Sequence, residues 1–293
     1  MISCILLVSV LLNKAPAVAG TAGAGEAARA EFEAGNYSAA LKTLNGGLSQ
    51  APQDALLHYW SLRAYYELRD FERAVTSGES AVKLEPQNSE YSRWLGRAYG
   101  ARAEQSHSFF LARKVKQAFE AAVHLAPTSV AARRDLMQYL AEAPWIVGGD
   151  KQKAREQIDA ISKIDPVQGH LARGAYFATD KKWTLAEAEY AAVLSQQPPR
   201  IDIYMEIADF FADRKDAPQI DRLLEAARRI DPKDPRIDYF SAVSFILRRN
   251  ELPTAEKLLR AYIAKVPQRS DYPSHSSAQE WLGLIGRREA QAR

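Results

Sequence analysis

Amphipathic stretches follow one another along the chain, and a proline closes one of them at nearly regular intervals. Pro52, Pro86, Pro127, Pro166, Pro198, Pro232 and Pro267 are separated by 34, 41, 39, 32, 34 and 35 residues. Proline cannot continue a helix, so each marks the end of one and the turn into the next. Ala81-Val82-Lys83-Leu84-Glu85-Pro86 and Ala226-Ala227-Arg228-Arg229-Ile230-Asp231-Pro232 are two such endings. Seven units are predicted, over 21–54, 55–88, 89–129, 130–168, 169–200, 201–234 and 235–269, with one more helix from Ser277 to Ala292.

Within the units, small and aromatic residues recur in register. A small residue stands twelve positions before five of the prolines: Ala40, Ala74, Ala154, Ala186 and Ala255. Three positions earlier there is often an aromatic ring, at Tyr37, Phe71 and Trp183. The first helix of a unit has its own signature, as in Ala64-Tyr65, Leu95-Gly96-Arg97-Ala98-Tyr99, Gly174 to Phe177 and Ala208 to Phe211. Helices that cross closely need small residues where their backbones approach, and large rings fill the space beside the contact.

Together these residues resemble the tetratricopeptide repeat (TPR) family, whose period is 34. Trp94-Leu95-Gly96 with Tyr99 carries the first-helix pattern. The second-helix Ala, an aromatic and the closing Pro follow. The resemblance covers nearly all of 21–269. It implies an all-α, right-handed superhelical solenoid of antiparallel helix pairs with a concave inner groove. Each unit would bury its apolar face only on its neighbours. Pentatricopeptide repeats lack these landmarks and usually carry a stronger basic excess. HEAT and ankyrin patterns fit neither the period nor the signatures.

Two units are longer than the period. The third has about seven extra residues around Gln105 to Phe110, and the fourth about five centred on Pro144-Trp145-Ile146-Val147-Gly148-Gly149-Asp150. Asp150 is predicted to cap the helix from Lys151. Exposed Trp-Ile-Val is costly, so Trp145 is expected to pack on the convex side. The widened third unit together with the Gly-Gly loop is similar to a bacterial family of predicted secreted TPR proteins of unassigned function.

Composition adds limits. Of 293 residues, 47% are hydrophobic and 26% charged, which suits a folded chain. The net charge of +3 is too small to imply a nucleic-acid partner by itself. The lone cysteine, Cys4, excludes an internal disulfide and any Cys-built metal site. Ile2 to Leu12 is almost wholly apolar and is followed by Ala17-Val18-Ala19-Gly20, the form of a secretory h-region and cleavage site. No Lys or Arg precedes that run, which points to a start further upstream. Residues 1–19 are therefore read as a signal peptide, 20–269 as the solenoid and 270–293 as a capping helix. A periplasmic or secreted location follows, with no integral membrane span after cleavage.

No catalytic or metal-binding motif is found, no cofactor is expected, and the chain is read as a non-enzyme. His58, His107, His124, His170 and His275 have no partner at a metal-ligand spacing on one helix face. The Gly46-Gly47 pair interrupts a helical pattern and is read as permitting close packing.

In TPR arrays the first helix of each unit lines the groove, and the resemblance turns attention there. Tyr59, Arg63 and Tyr66 form one stripe in the second unit, Arg93 and Arg97 one in the third, and Arg134 with Gln138 one in the fourth. In the sixth unit Asp202, Met205 or Glu206, and Asp209 take the same positions. The expected groove is basic and aromatic at one end and acidic at the other, with a partner's acidic part beside Arg93 and Arg97. The Asn pair of the chaperone-binding carboxylate clamp is absent. The chain is thus read as a scaffold for a protein or peptide partner. A structural part of a cell-envelope or secretion complex, and a glycan-associated module, are the alternatives.

Overall fold

A computed structural model describes residues 19–291, with side chains over 23–287. The signal-peptide reading of 1–19 falls outside that range except for its last residue. The described residues form fifteen α-helices and one short 3-10 turn, without a strand. They pair as α1 (Ala19–Glu33) with α2 (Tyr37–Gln50), α3 (Ala55–Glu67) with α4 (Phe71–Leu84), and α5 (Ser89–Ser106) with α6 (Phe109–Leu125). Then come α7 (Val130–Glu142) with α8 (Lys151–Ile164), α9 (Pro166–Thr179) with α10 (Trp183–Ser195), α11 (Ile201–Asp213) with α12 (Ala217–Ile230), and α13 (Pro235–Arg248) with α14 (Leu252–Lys265). The last helix, α15 (His275–Gln291), packs on α13 and α14. This is the all-α solenoid that the period and the landmarks predict.

Small residues set the spacing of the stack. Ala40, Ala74, Ala154, Ala186 and Ala255 are all inaccessible to solvent. So are Ala64, Ala98, Ala132, Ala172, Ala208 and Ala242 of the first helices. Gly96 of α5 lies so close to α6 that a Cβ there would come within 2.5 Å of the Phe119 ring. The two glycines of α2 differ: a Cβ on Gly47 would meet Leu57 at 2.9 Å, whereas one on Gly46 would meet nothing within 4 Å. Only Gly47 serves packing. Between the fifth and sixth units the spacer is aromatic instead, with Tyr190 and Phe210 rings 4.9 Å apart.

Helix starts are fixed by side-chain caps. Asp54, Asp70, Asn88, Ser108, Ser129, Asp150, Asp165, Asp216 and Asp234 each accept a hydrogen bond from a backbone N–H of the first turn. Asp150 caps α8 as predicted, from Gln152 N at 3.0 Å and Lys153 N at 3.1 Å. Pro166 differs from the other closing prolines. Asp165 ends α8 and caps α9 at once, so Pro166 is the first residue of α9, where its missing N–H costs nothing. The fifth unit thus begins three residues earlier than the sequence pattern places it, and α15 two residues earlier than Ser277.

The 3-10 turn (Trp145–Val147) holds the extra residues of the fourth unit. Val147 is buried against the stack, but Trp145 is 84% exposed and Ile146 53%. The expected packing of Trp145 on the convex side does not occur, because Val147 alone fills the site beneath the turn.

Gly96→Val should lower stability by about 2 kcal/mol through overpacking against Phe119. Gly46→Ala should raise it by about 1 kcal/mol through helix propensity alone. Urea unfolding followed by circular dichroism checks both, and a stable Gly96→Val would refute the close crossing.

Candidate partner-binding groove

The first helices of successive units turn one face toward a common concavity of about 840 Å³. Arg97 of α5, Arg134, Asp135 and Gln138 of α7, Gln168 of α9, Asp202, Glu206 and Asp209 of α11, and Arg236 of α13 line it. Four of the sequence-predicted groove residues, Arg97, Arg134, Asp202 and Asp209, meet there although they span 113 positions, from 97 to 209.

Most of its cations are already paired. Asp135 receives Arg97 through two bonds, from Nη2 at 2.7 Å and Nε at 2.8 Å, and Arg93 Nη1 at 3.1 Å. Glu90 holds the other side of Arg93 through bonds of 2.7 and 2.9 Å and also accepts from Trp94 Nε1. Arg134 crosses the hollow to Glu206 at 2.5 Å and reaches Gln168 at 3.2 Å. Arg236 is shared between Asp234 and Asp202. Bidentate pairs of this kind leave little of an arginine's bonding capacity for a ligand. The basic end expected from Arg93 and Arg97 is therefore neutralised within the fold.

Arg63 is different. No carboxylate lies within ion-pair distance of it among the described residues. Its guanidinium carbon stands 3.8 Å from the Trp94 ring centroid and 4.9 Å from that of Phe32, with Tyr59 and Trp60 beside it. Nη1 donates to the Tyr59 hydroxyl at 2.9 Å, and Nε is buried without a partner. Ring faces stabilise the cation, and Glu67 and Glu90 act on it from beyond ion-pair distance. Tyr59, read from sequence as a groove residue, is buried and stacked on Tyr91 with centroids 4.8 Å apart. Tyr66 packs edge-on against Trp94 and Phe71. Both rings build the cage and wall rather than present a face, because i, i+4, i+7 spacing does not distinguish the groove from the inter-helix seam. Met205 is likewise buried, though both it and Glu206 line the hollow.

At the other end no Lys or Arg lies within ion-pair distance of Asp209 among the described residues. Water reaches it, yet protein surrounds it on the floor of the hollow. That enclosure, with Asp213 and then Glu206 nearby, pushes its carboxyl up to about 6.

One occupant of the groove comes from the chain itself. The connection between α14 and α15, residues 266–274, crosses the concavity instead of turning tightly. The Tyr37 hydroxyl donates to the Gln268 carbonyl at 2.7 Å, and the Ser270 hydroxyl donates to Glu67 at 2.7 Å. Tyr272 lies under Arg236 at 4.6 Å, and Ser270 to Pro273 line the hollow. Pro267 packs where a Cβ on Gly35 would be, 2.2 Å away, and Gly35 has a φ of +79°. A side chain there is excluded on both counts. Burial raises the Glu67 carboxyl above its ordinary range, partly offset by the bonds from Ser270. The sequence signal for this strap was slight: a nine-residue connection bearing Tyr272, where most other turns take three or four residues.

Residues 26–89 and 62–102 match a model of the tetratricopeptide repeat. Residues 26–102 thus carry the tetratricopeptide repeat pattern. A solved TPR protein from Parabacteroides merdae superposes with a TM-score of 0.58 at 12% identity, over 91% of this chain and 99% of that one. A thermophilic TPR protein from Thermus thermophilus gives 0.52 at 20% identity, over 62% of this chain and 94% of that one. At such identities the likeness is one of fold. No curated protein matches the sequence. A TPR array is a scaffold for contacts between proteins. Among the described residues of this one, no group of three or more His, Cys, Asp or Glu is able to hold a metal ion, and no helix is long and apolar enough to cross a membrane.

Asp209→Asn should stabilise the TPR array, and the sign follows from the raised carboxyl. Its folded value lies above the unfolded one, so ionising it costs stability from about pH 4 upward and in full above about pH 6. The variant should match wild type at pH 4 and exceed it at pH 8 by about 1 kcal/mol, a figure discounted because solvent reaches the group. Thermal melts across that range check this, and a gain that does not change with pH would refute it.

Proposed function

We propose that this chain is a non-enzymatic scaffold that takes an extended segment of a partner protein in its concave groove. The observation that carries this reading is the strap. A segment of the chain, turned at Ser270-Asp271, already lies in the hollow, bound through a backbone carbonyl, a hydroxyl and an aromatic ring. No residue from 266 to 274 is fully buried, and the strap is held by hydrogen bonds to Tyr37, Glu67, Tyr262 and His275 and by packing of Val266, Pro267 and Tyr272. A partner segment with a larger apolar contact would displace it.

The charges suggest the polarity of that segment. Asp209 lines the hollow with no Lys or Arg at ion-pair distance among the described residues, and Arg63, caged by rings outside that lining, likewise has no ion-pair partner. An acidic group of the partner would lie beside Arg63 and a basic group beside Asp209. This keeps a polarised groove but moves its positive end from Arg93 and Arg97 to the caged Arg63. The apolar run 2–12 and Ala17-Val18-Ala19 support export, and with it a partner outside the cytoplasm.

The test uses the strap as probe. A labelled peptide of sequence 266–274 is titrated into wild type and into a variant whose residues 268–273 are replaced by Gly and Ser. The variant should bind at least about tenfold more tightly, since its groove has no competing segment in cis. In the same variant, Asp209→Asn/Asp213→Asn should weaken binding of basic peptides and leave acidic ones unchanged. Equal, negligible binding of the strap peptide by both proteins would defeat the groove reading.

A further inference from the structure

We propose that a second surface, on the turn edge of the third and fourth units, docks on an anionic lipid bilayer. Four large apolar side chains stand out there: Phe109 and Phe110 at 69% exposure each, Trp145 at 84% and Ile146 at 53%. All four stand at this edge, with the Phe110 ring under Lys114, which pairs with Glu79 of α4. The Tyr139 hydroxyl lies 2.6 Å from the Ala112 carbonyl and 2.7 Å from that of Val147, which fastens the 3-10 turn to the first turns of α6. Lys116 of α6 packs against Gly148 at the end of the same turn. Both insertions that break the repeat period thus contribute to a single projection.

The chemistry favours a membrane surface over a shaped protein partner. The four side chains project from a helix start and a turn, with no hollow between them. A bilayer interface needs no complementary shape, and Trp and Phe partition to the boundary between headgroups and acyl chains. The surrounding charge is complementary to an acidic surface. The segments 104–116, 142–153 and 180–182 contain seven Lys and Arg against four Asp and Glu, but Lys114 and Lys116 pair with Glu79 and Glu120 from outside them, which leaves an excess of one. Of the four acids, Asp150 is spent on the α8 cap, and Asp180 pairs with Lys151 and Lys182. Arg113, Lys153 and Lys181 are exposed and have no carboxylate within ion-pair distance among the described residues. Lys114 lies over the Phe110 ring, 5.3 Å from its centroid, so cation and apolar anchor occupy the same edge. None of these residues lines the groove, and the proposal does not depend on what the groove binds.

Flotation with phosphatidylcholine vesicles, with and without about 30% phosphatidylglycerol, tests it. Wild type should bind the acidic vesicles at low salt and not the neutral ones. Replacing Phe109, Phe110, Trp145 and Ile146 by Ser should reduce binding at least about tenfold. Arg113→Glu/Lys153→Glu/Lys181→Glu should reduce it on the order of a hundredfold at low salt. Trp145 fluorescence should be quenched by brominated lipid, and that quenching should vanish in Trp145→Phe. All substituted side chains are exposed, and circular dichroism verifies that the variants fold. Absence of wild-type binding, or equal binding by the variants, would overturn the proposal. So would self-association that the Ser variant abolishes without any vesicle binding by wild type, since the patch would then be a contact between copies.

Discussion

The structure depends on one constraint, the near contact of helix backbones at positions that carry almost no side chain. A row of alanines, inaccessible in both helices of the units, sets the distance between neighbours. Everything larger must fit beside that row. Phe119 fills the space that Gly96 leaves, and Tyr190 does the same at Gly174. Because the backbones come close, the first-helix faces point into one hollow, and residues of five different helices share it. The groove is a consequence of the spacing and not a separate invention.

An array of this kind is nearly one-dimensional, since each unit touches only its neighbours. Two interactions here break that rule. Arg134 and Glu206 pair across 72 positions, and the strap ties Gln268 and Ser270 to Tyr37 and Glu67 across more than 200. A stack free to flex would separate these partners. With them in place the curvature is fixed from inside, by an ion pair partly shielded from water and by hydrogen bonds at the ends. The strap therefore has two consequences: it occupies the concavity, and it couples that occupation to the curvature of the stack. Removing it changes both at once.

The sequence was informative where the physics is local. Prolines, caps and small residues act within a few positions, so the helices fall close to where the period puts them, and Asp150 caps α8 as its neighbours suggest. Pro166 shows the limit of a local signal: the same residue ends a helix or begins one, and the preceding Asp165 decides which. Charge compensation is not local. Glu90, three residues before Arg93, is a local partner, but nothing near Arg97 in the chain indicates that Asp135, some forty residues on, will hold both arginines. The same holds for Tyr59, whose spacing suits a groove while Tyr91 of the next unit covers it. Trp145 erred in the opposite direction. The cost of exposing it predicted a buried ring, but a 3-10 turn of three residues offers one inward position, and Val147 takes it.

The two surfaces that emerge have different origins, and this bears on how each can change. The groove is made of helix faces, whose orientation is locked by the alanine row. Substitution there alters charge without altering shape. The turn edge is made of inserted residues outside the stack, where length is unconstrained because no neighbour packs on the tip. Phe109, Phe110, Trp145 and Ile146 stand on that freedom. The fold provides the hollow by necessity, while the insertions add a projection that stacking does not require. An apolar projection that the fold neither needs nor covers carries a standing cost in water, and that cost is the strongest argument that something outside the chain relieves it.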